Sequence, residues 1–86
     1  MFRLRQATAA DFPAIRQLIW QVRINPIGLN WRRFVLAVDE QGTLLGCGQI
    51  KPHRDGTREL ASIAVKPSAR GQGIARAIIQ HLMQST

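Results

Sequence analysis

The chain has 86 residues, 45% of them apolar, a length that holds one domain with a modest core. A net charge of +7 and a pI of about 11.6 attract polyanions. The twelve basic residues are scattered, however, with Arg32-Arg33 the only adjacent pair, so a phosphorylated cofactor or plain solubility explains the charge better than nucleic acid does. The single cysteine, Cys47, cannot form an internal disulfide, and no apolar run approaches the ~20 residues of a membrane span. Met1 to Arg5 alternates charge with apolar residues and does not read as a secretory leader. The expectation is a cytoplasmic protein with no membrane contact.

In chain order, Phe2 and Leu4 alternate with Arg3 and Arg5, the period-2 pattern of a strand with one buried face. Thr8-Ala9-Ala10-Asp11 reads as a capping box. Phe12, Ile15, Ile19 and Val22 then recur at helical spacing, widened by Leu18, which predicts a helix over about residues 9–23. Asn25-Pro26-Ile27-Gly28 breaks it, and a short second helix is expected over Leu29 to Arg33. Phe34 to Val38 reads as a buried strand, Asp39-Glu40-Gln41-Gly42 as a turn, and Leu44 to Lys51 as the returning strand. Gly46 and Gly48 inside that strand signal a bulge or a close backbone approach. Asp55-Gly56 marks another hairpin turn, followed by a strand over Arg58 to Val65 that Pro67 ends. From Gly71 to about Gln84 a helix is expected, with Ile74, Ile78 and Leu82 on one stripe and Ala75, Ile79 and Met83 beside it.

The junction from Val65 to Ala75 carries the chemistry. A strand stops at a proline, a short loop holds Arg70, and Gly71 and Gly73 sit where a helix starts. A helix start has unpaired N–H groups and a positive dipole end, and glycine lets an anion approach the backbone closely. Together they make a pyrophosphate cradle, with Arg70 and Arg76 adding positive charge. The dinucleotide fingerprint fails because position 76 is Arg, and a P-loop fails because no Gly-Lys-Ser/Thr follows.

What does fit is the Arg/Gln-x-x-Gly-x-Gly/Ala pattern, here Arg70-Gly71-Gln72-Gly73-Ile74-Ala75, preceded by Ile63-Ala64-Val65-x-Pro67. This longer signature resembles the acetyl-CoA-binding segment of GNAT N-acetyltransferases. The upstream order of strand, helix and three-strand meander resembles the first half of that fold. The resemblance implies a mixed α/β, GNAT-like fold with a largely antiparallel sheet and helices on both faces. It covers essentially the whole chain, residues 1–86 as one domain, but not the whole family fold, whose members continue after this helix with a strand, another helix and two more strands. The implied activity is acetyl transfer from acetyl-CoA, as co-substrate, to a primary amine by direct attack. The alternative is a catalytically incomplete CoA-binding module that needs a partner or the missing half.

By the same resemblance, the backbone of Ile63, Ala64 and Val65 would pair with the pantetheine arm, and one of their N–H groups would face the thioester carbonyl. Backbone N–H groups from Gly71 through Gln72, Gly73, Ile74 and Ala75 to Arg76 would hold the pyrophosphate. Glu59 stands where histone-acetylating members carry a general base; its bland reading is a solvated strand residue paired with Arg58 or Lys51. Many members use a tyrosine of the later half as general acid, and this sequence has no tyrosine. The acceptor amine is not identified by any residue. Cys47, mid-strand between glycines, reads as a buried core residue; His53 and His81 have no ligand partner at metal spacing, so no metal is expected. Trp20 is expected to pack at the edge of the first helix. Trp31 is either an acceptor-side aromatic wall or a packing anchor. An open edge on the Arg58–Val65 strand would recruit other strands, so the expectation is a homodimer that completes the sheet or a marginally folded, aggregation-prone chain.

Overall fold

The computed structural model describes residues 1–84. Four strands form one antiparallel sheet: β1 (Arg3–Gln6), β2 (Phe34–Val38), β3 (Leu44–Pro52) and β4 (Arg58–Val65), in the spatial order β1-β2-β3-β4. Helix α1 (Phe12–Gln21) lies on one face and α2 (Ile74–Gln84) on the other.

Strand β2 is buried at every position, because both of its faces are covered. Phe34, Leu36 and Val38 join Ile15, Leu18, Ile19 and Cys47 on the α1 face, while Val35 and Ala37 join Ala69, Ile74, Ile78 and Leu82 on the α2 face. The expected stripes of both helices are therefore the buried ones. Phe12, Val22, Ala75 and Ile79 are only half-buried, and Met83 is exposed, lying at a shallow surface groove beside Ile50, Arg58 and Leu60.

The first helix enters through a 3₁₀ turn at Ala9–Asp11. The Asp11 carboxylate accepts from the Thr8 amide at 2.7 Å, the reaching-back half of a capping box, and takes both arms of the Arg5 guanidinium at 2.8 Å each. That fork ties β1 to the helix start and holds the Asp11 carboxyl well below the usual carboxylate range. The helix stops at Gln21, earlier than expected. Ile24 N donates to Ile19 O and Arg23 N to Trp20 O, both at 3.1 Å, with Arg23 at φ +60°. This is a Schellman closure; it satisfies the last carbonyls before the Asn25-Pro26 breaker is reached. Trp20, on the outer side of that last turn, is 69% exposed and does not pack as expected. In place of a helix over 29–33 there is a single 3₁₀ turn, Trp31–Arg33, capped by Asn30 Oδ1 accepting from Arg32 N at 3.1 Å.

Both hairpin turns are built as their sequences predict. Asp39 Oδ1 accepts from Gln41 N and Thr43 N, and Asp55 Oδ1 from Thr57 N and Oγ1. The glycines of β3 combine both readings given for them. A Cβ on Gly46 would stand 2.8 Å from Ile74 Cγ2, and one on Gly48 would stand 2.5 Å from Ile63 Cδ1 and 2.8 Å from Ile78 Cγ2. The backbone is approached that closely by α2 and by β4. The register also slips opposite Gly48, where Cys47 pairs Ala64 but Gln49 pairs Ala61. Ser62 and Ile63 thus share one partner position, a β-bulge with Ser62 at φ +56°.

Candidate functional site: a glycine loop, a helix start and a bulged edge strand

Strand β4 pairs with β3 alone among the described residues, so alternate backbone groups along it point away from the sheet. The bulge decides which side chains go with them. Ala64 falls on the α1 face, and Ile63 and Val65 on the α2 face. Without the extra residue, period-2 alternation would keep Ala61 and Ile63 on one face; with it, Ala61 and Ala64 share the α1 face.

Past Val65 the ladder closes with Lys66 N donating to Leu45 O at 2.7 Å. Pro67 cannot donate, and a 3₁₀ turn at Pro67–Ala69 follows, pinned by the buried Ala69. Arg70 is extended, and Gly71 and Gly73 have φ +86° and +80°, the left-handed region that disfavours a Cβ. The helix starts at Ile74, not Gly71. Two left-handed residues cannot belong to a right-handed helix, so the glycines shape the loop that leads into it. Ala77 N donates to Gly73 O at 3.0 Å as the first bond of the helix, which leaves the amides of Ile74, Ala75 and Arg76 without an intrahelical partner.

Around these amides is a hollow of about 160 Å³, lined by Val65, residues 69–71, Gly73 and residues 74–76. Neither Arg70 nor Arg76 has an ion-pair partner among the described residues, so positive charge at the rim is not neutralised from within. Of the expected cofactor-binding residues, Val65, Arg70, Gly71, Gly73, Ile74, Ala75 and Arg76 line this hollow. Gln72 is exposed outside it, and Ile63 and Ala64 lie further back along β4. A larger hollow of about 350 Å³ lies near the N-terminus, under Met1, Phe2, Arg3, Val38, Asp39 and Glu40. It sets two carboxyl side chains, one already taken by turn amides, beside the single cationic side chain of Arg3, and no helix start lines it.

Glu59 lies beyond the bulge from residues 63–65, opposite Lys51 in the register, with an exposed carboxylate. Its partner is neither Arg58 nor Lys51 but His53, with Nε2 3.0 Å from Glu59 Oε1 across the hairpin. Sequence spacing alone hides this pair, since only the β3–β4 register brings residues 53 and 59 together. Cys47 is fully buried; burial pushes its thiol up to about 12, so it stays protonated and inert. Trp31 packs against the α1-side core with Arg32 stacked on its ring at 4.6 Å, the geometry of a packing anchor.

Sequence reasoning missed one polar residue altogether. Gln49 is fully buried on the α1 face, donating from Nε2 to Ser62 Oγ at 3.1 Å and to Gly28 O at 3.4 Å, while its Oε1 has no partner among the described residues. A glutamine in a strand reads as solvent-facing by type; the signal that could have found it is its place two residues after Cys47, on the same face of β3.

The sequence matches the Acetyltransferase (GNAT) family over residues 1–85, and the chain belongs to that family. It is 44% identical over 45 residues to a mycothiol acetyltransferase of Saccharopolyspora erythraea, a match spanning 52% of this chain and 15% of that protein. The structure superposes on the Rv2747 protein of Mycobacterium tuberculosis, solved in complex with CoA and NLQ, with a TM-score of 0.84 and 31% identity over 96% of this chain and 56% of that one. It also shares the fold of the diaminobutyrate acetyltransferase EctA of Paenibacillus lautus, solved with L-2,4-diaminobutyric acid and coenzyme A (TM-score 0.81, 24% identity, 96% of this chain and 57% of that one). The chain thus spans little more than half the length of these solved relatives.

Proposed function

We propose that this chain binds acetyl-CoA and contributes to acetyl transfer onto a primary amine. The observation that carries the reading is the hollow at the start of α2, where unpaired amides and two left-handed glycines meet at one anion-sized space whose lining includes Arg70 and Arg76, neither of them ion-paired among the described residues. The pyrophosphate would sit there, held by N–H groups of residues 71–76 and by the helix dipole. The pantetheine arm would run along the open edge of β4, pairing with the backbone of Ile63, Ala64 and Val65. The CoA-bound relatives support this assignment.

In the reaction, the amine nitrogen attacks the thioester carbonyl carbon, the C–S bond breaks, and CoA leaves with the electron pair on sulfur. An N–H group of residues 63–65 would stabilise the oxyanion on the way. The attacking amine must shed a proton, and Glu59 is the candidate acceptor, with His53 beside it to receive or share that proton.

The test is calorimetric titration of acetyl-CoA into the wild type, Gly73→Glu and Gly42→Glu. Both glycines are left-handed, at φ +80° and +84°, and a Cβ at either meets nothing within 4 Å. The two substitutions therefore carry the same backbone strain, about 1 kcal/mol. Only the one at position 73 puts a carboxylate in the hollow, and it alone should abolish binding. Equal affinities in the two folded variants would remove the phosphate role. Where transfer to an amine is measurable, Glu59→Gln should slow it ~100-fold or more near neutral pH; an unchanged pH–rate profile returns Glu59 to an ordinary surface residue. Binding of CoA with no acetylation of any amine would favour a CoA-binding module.

A further inference from the structure

We infer that Gln49 is a positioning residue: its buried amide ties the loop 24–30 to the bulge of β4, so that the loop and the backbone at residues 63–65 are set as one unit. The bond network places it there. Nε2 donates to Ser62 Oγ at 3.1 Å on the strand side and to Gly28 O at 3.4 Å on the loop side. Both contacted residues have left-handed backbones, Ser62 at φ +56° and Gly28 at φ +79°.

Ser62 is the strained one, since it has a side chain in a region that favours glycine. Two side chains of β3 hold it from either side of Gly48. Gln49 grips its hydroxyl, and Cys47 Sγ donates to its carbonyl at 3.7 Å. The loop is gripped in the same way from the sheet. Gln49 takes the carbonyl of Gly28, and Lys51 Nζ lies 3.5 Å from that of Ile27. A Cβ at Gly28 would stand 2.8 Å from that same Nζ, so the loop is seated directly on these two side chains.

The orphaned Oε1 shows that packing alone does not explain the residue. An apolar side chain of similar volume would fill the site without burying an unpaired acceptor. A polar group kept at such a cost marks a constraint other than stability. The constraint is orientation: the bulge decides how the edge amides of residues 63–65 are aimed, and Gln49 fixes the bulge.

That last step rests on the proposed binding of CoA along β4, whereas the coupling itself does not. Both are tested on the full chain by amide NMR, thermal melting and CoA titration. Gln49→Leu should melt within a few degrees of the wild type, shift the amide resonances of residues 27–29 and 62–65 together, and weaken CoA binding about tenfold. Ser62→Ala should disturb the Gly28 and Leu29 amides in the wild-type background and leave them undisturbed in the Gln49→Leu background. The inference is overturned if Ser62→Ala leaves Gly28 silent, or if folded Gln49→Leu keeps both its CoA affinity and its resonances. Should Gln49→Leu not fold, Ser62→Ala and Ser62→Gly in the wild-type background decide the coupling by the same Gly28 readout. If the wild type does not bind CoA at all, the functional reading falls while the resonance test still judges the coupling.

Discussion

The two faces of the sheet are covered in different ways. On one, α1 rests on side chains: Ile15, Leu18 and Ile19 meet Phe34, Leu36, Val38 and Cys47, and a layer of branched and aromatic groups separates helix from strand. On the other, α2 packs on Val35, Ala37 and Ala69 but also comes down onto two glycines. Ile74 and Ile78 put methyl groups where a Cβ of Gly46 or Gly48 would be. A side-chain layer can repack around a change in volume. Where Ile74 and Ile78 meet bare backbone at Gly46 and Gly48 there is no such slack, and those two positions limit how α2 can shift. The face whose helix lines no part of the hollow is the tolerant one, and the face whose helix start shapes it is the rigid one.

The largest effect should come from the tolerant face. Ile15→Ala leaves a cavity at a fully buried site and should cost 2–5 kcal/mol, roughly, in denaturant unfolding. The folded fraction should keep its CoA affinity, and an affinity loss beyond that due to unfolding would erase the distinction between the faces. Gly48→Ala should cost less stability, about 1–3 kcal/mol, yet it must push Ile63 or Ile78 aside. It should therefore weaken CoA binding in molecules that remain folded. Titration beside melting separates the two effects, and a Gly48→Ala protein with full affinity would show that α2 can shift without moving its first turn.

The smallest effect belongs to the entrance of α1. The Arg5 guanidinium, followed by the Thr8 donors, holds Asp11 below its ordinary value near 4. A carboxylate depressed in the folded state stabilises the protein above its unfolded pKa, and that contribution is lost as pH falls from roughly 4 toward the folded value. Asp11→Asn should cost about 1–2 kcal/mol near neutral pH, the sum of a cap and a partly screened fork. It should also flatten the acid limb of the stability profile while leaving CoA affinity alone. An acid limb identical to that of the wild type would mean the pair contributes nothing.

Much of this fold is legible in the sequence. Five consecutive apolar residues at 34–38 between turn signals read as a buried strand, and the Asp39 and Asp55 turns follow from side chains that bond their own backbone. What escaped was set by tertiary geometry. The helix closure at Arg23 puts an ordinary side chain in a left-handed conformation, for which the residue type gives no signal. The sequence pattern puts the start of α2 too early, because left-handed loop glycines and helix-capping glycines look alike in a sequence. The bulge at Ser62 is silent as well, since Ala61-Ser62-Ile63-Ala64-Val65 scans as an unbroken buried strand. Gln49, which bonds the Ser62 hydroxyl from the neighbouring strand, is polar by type and internal by position, and its type alone places it on the wrong side of the surface. Of the candidate site, the cradle was readable because it is local in sequence, whereas the His53–Glu59 pair and the Gln49 strut depend on strand register.

Cys47 has one more consequence. Its sulfur lies in the middle of β3, against β2 and β4, fully shielded and protonated. A thiol-directed dye in solution can reach it only when the sheet comes apart. Its labelling rate therefore counts excursions of the native state, much as slow amide exchange does. With no second cysteine to confuse the signal, the chain carries its own single-site clock, and its ticking should slow whenever a ligand holds β3 and β4 together.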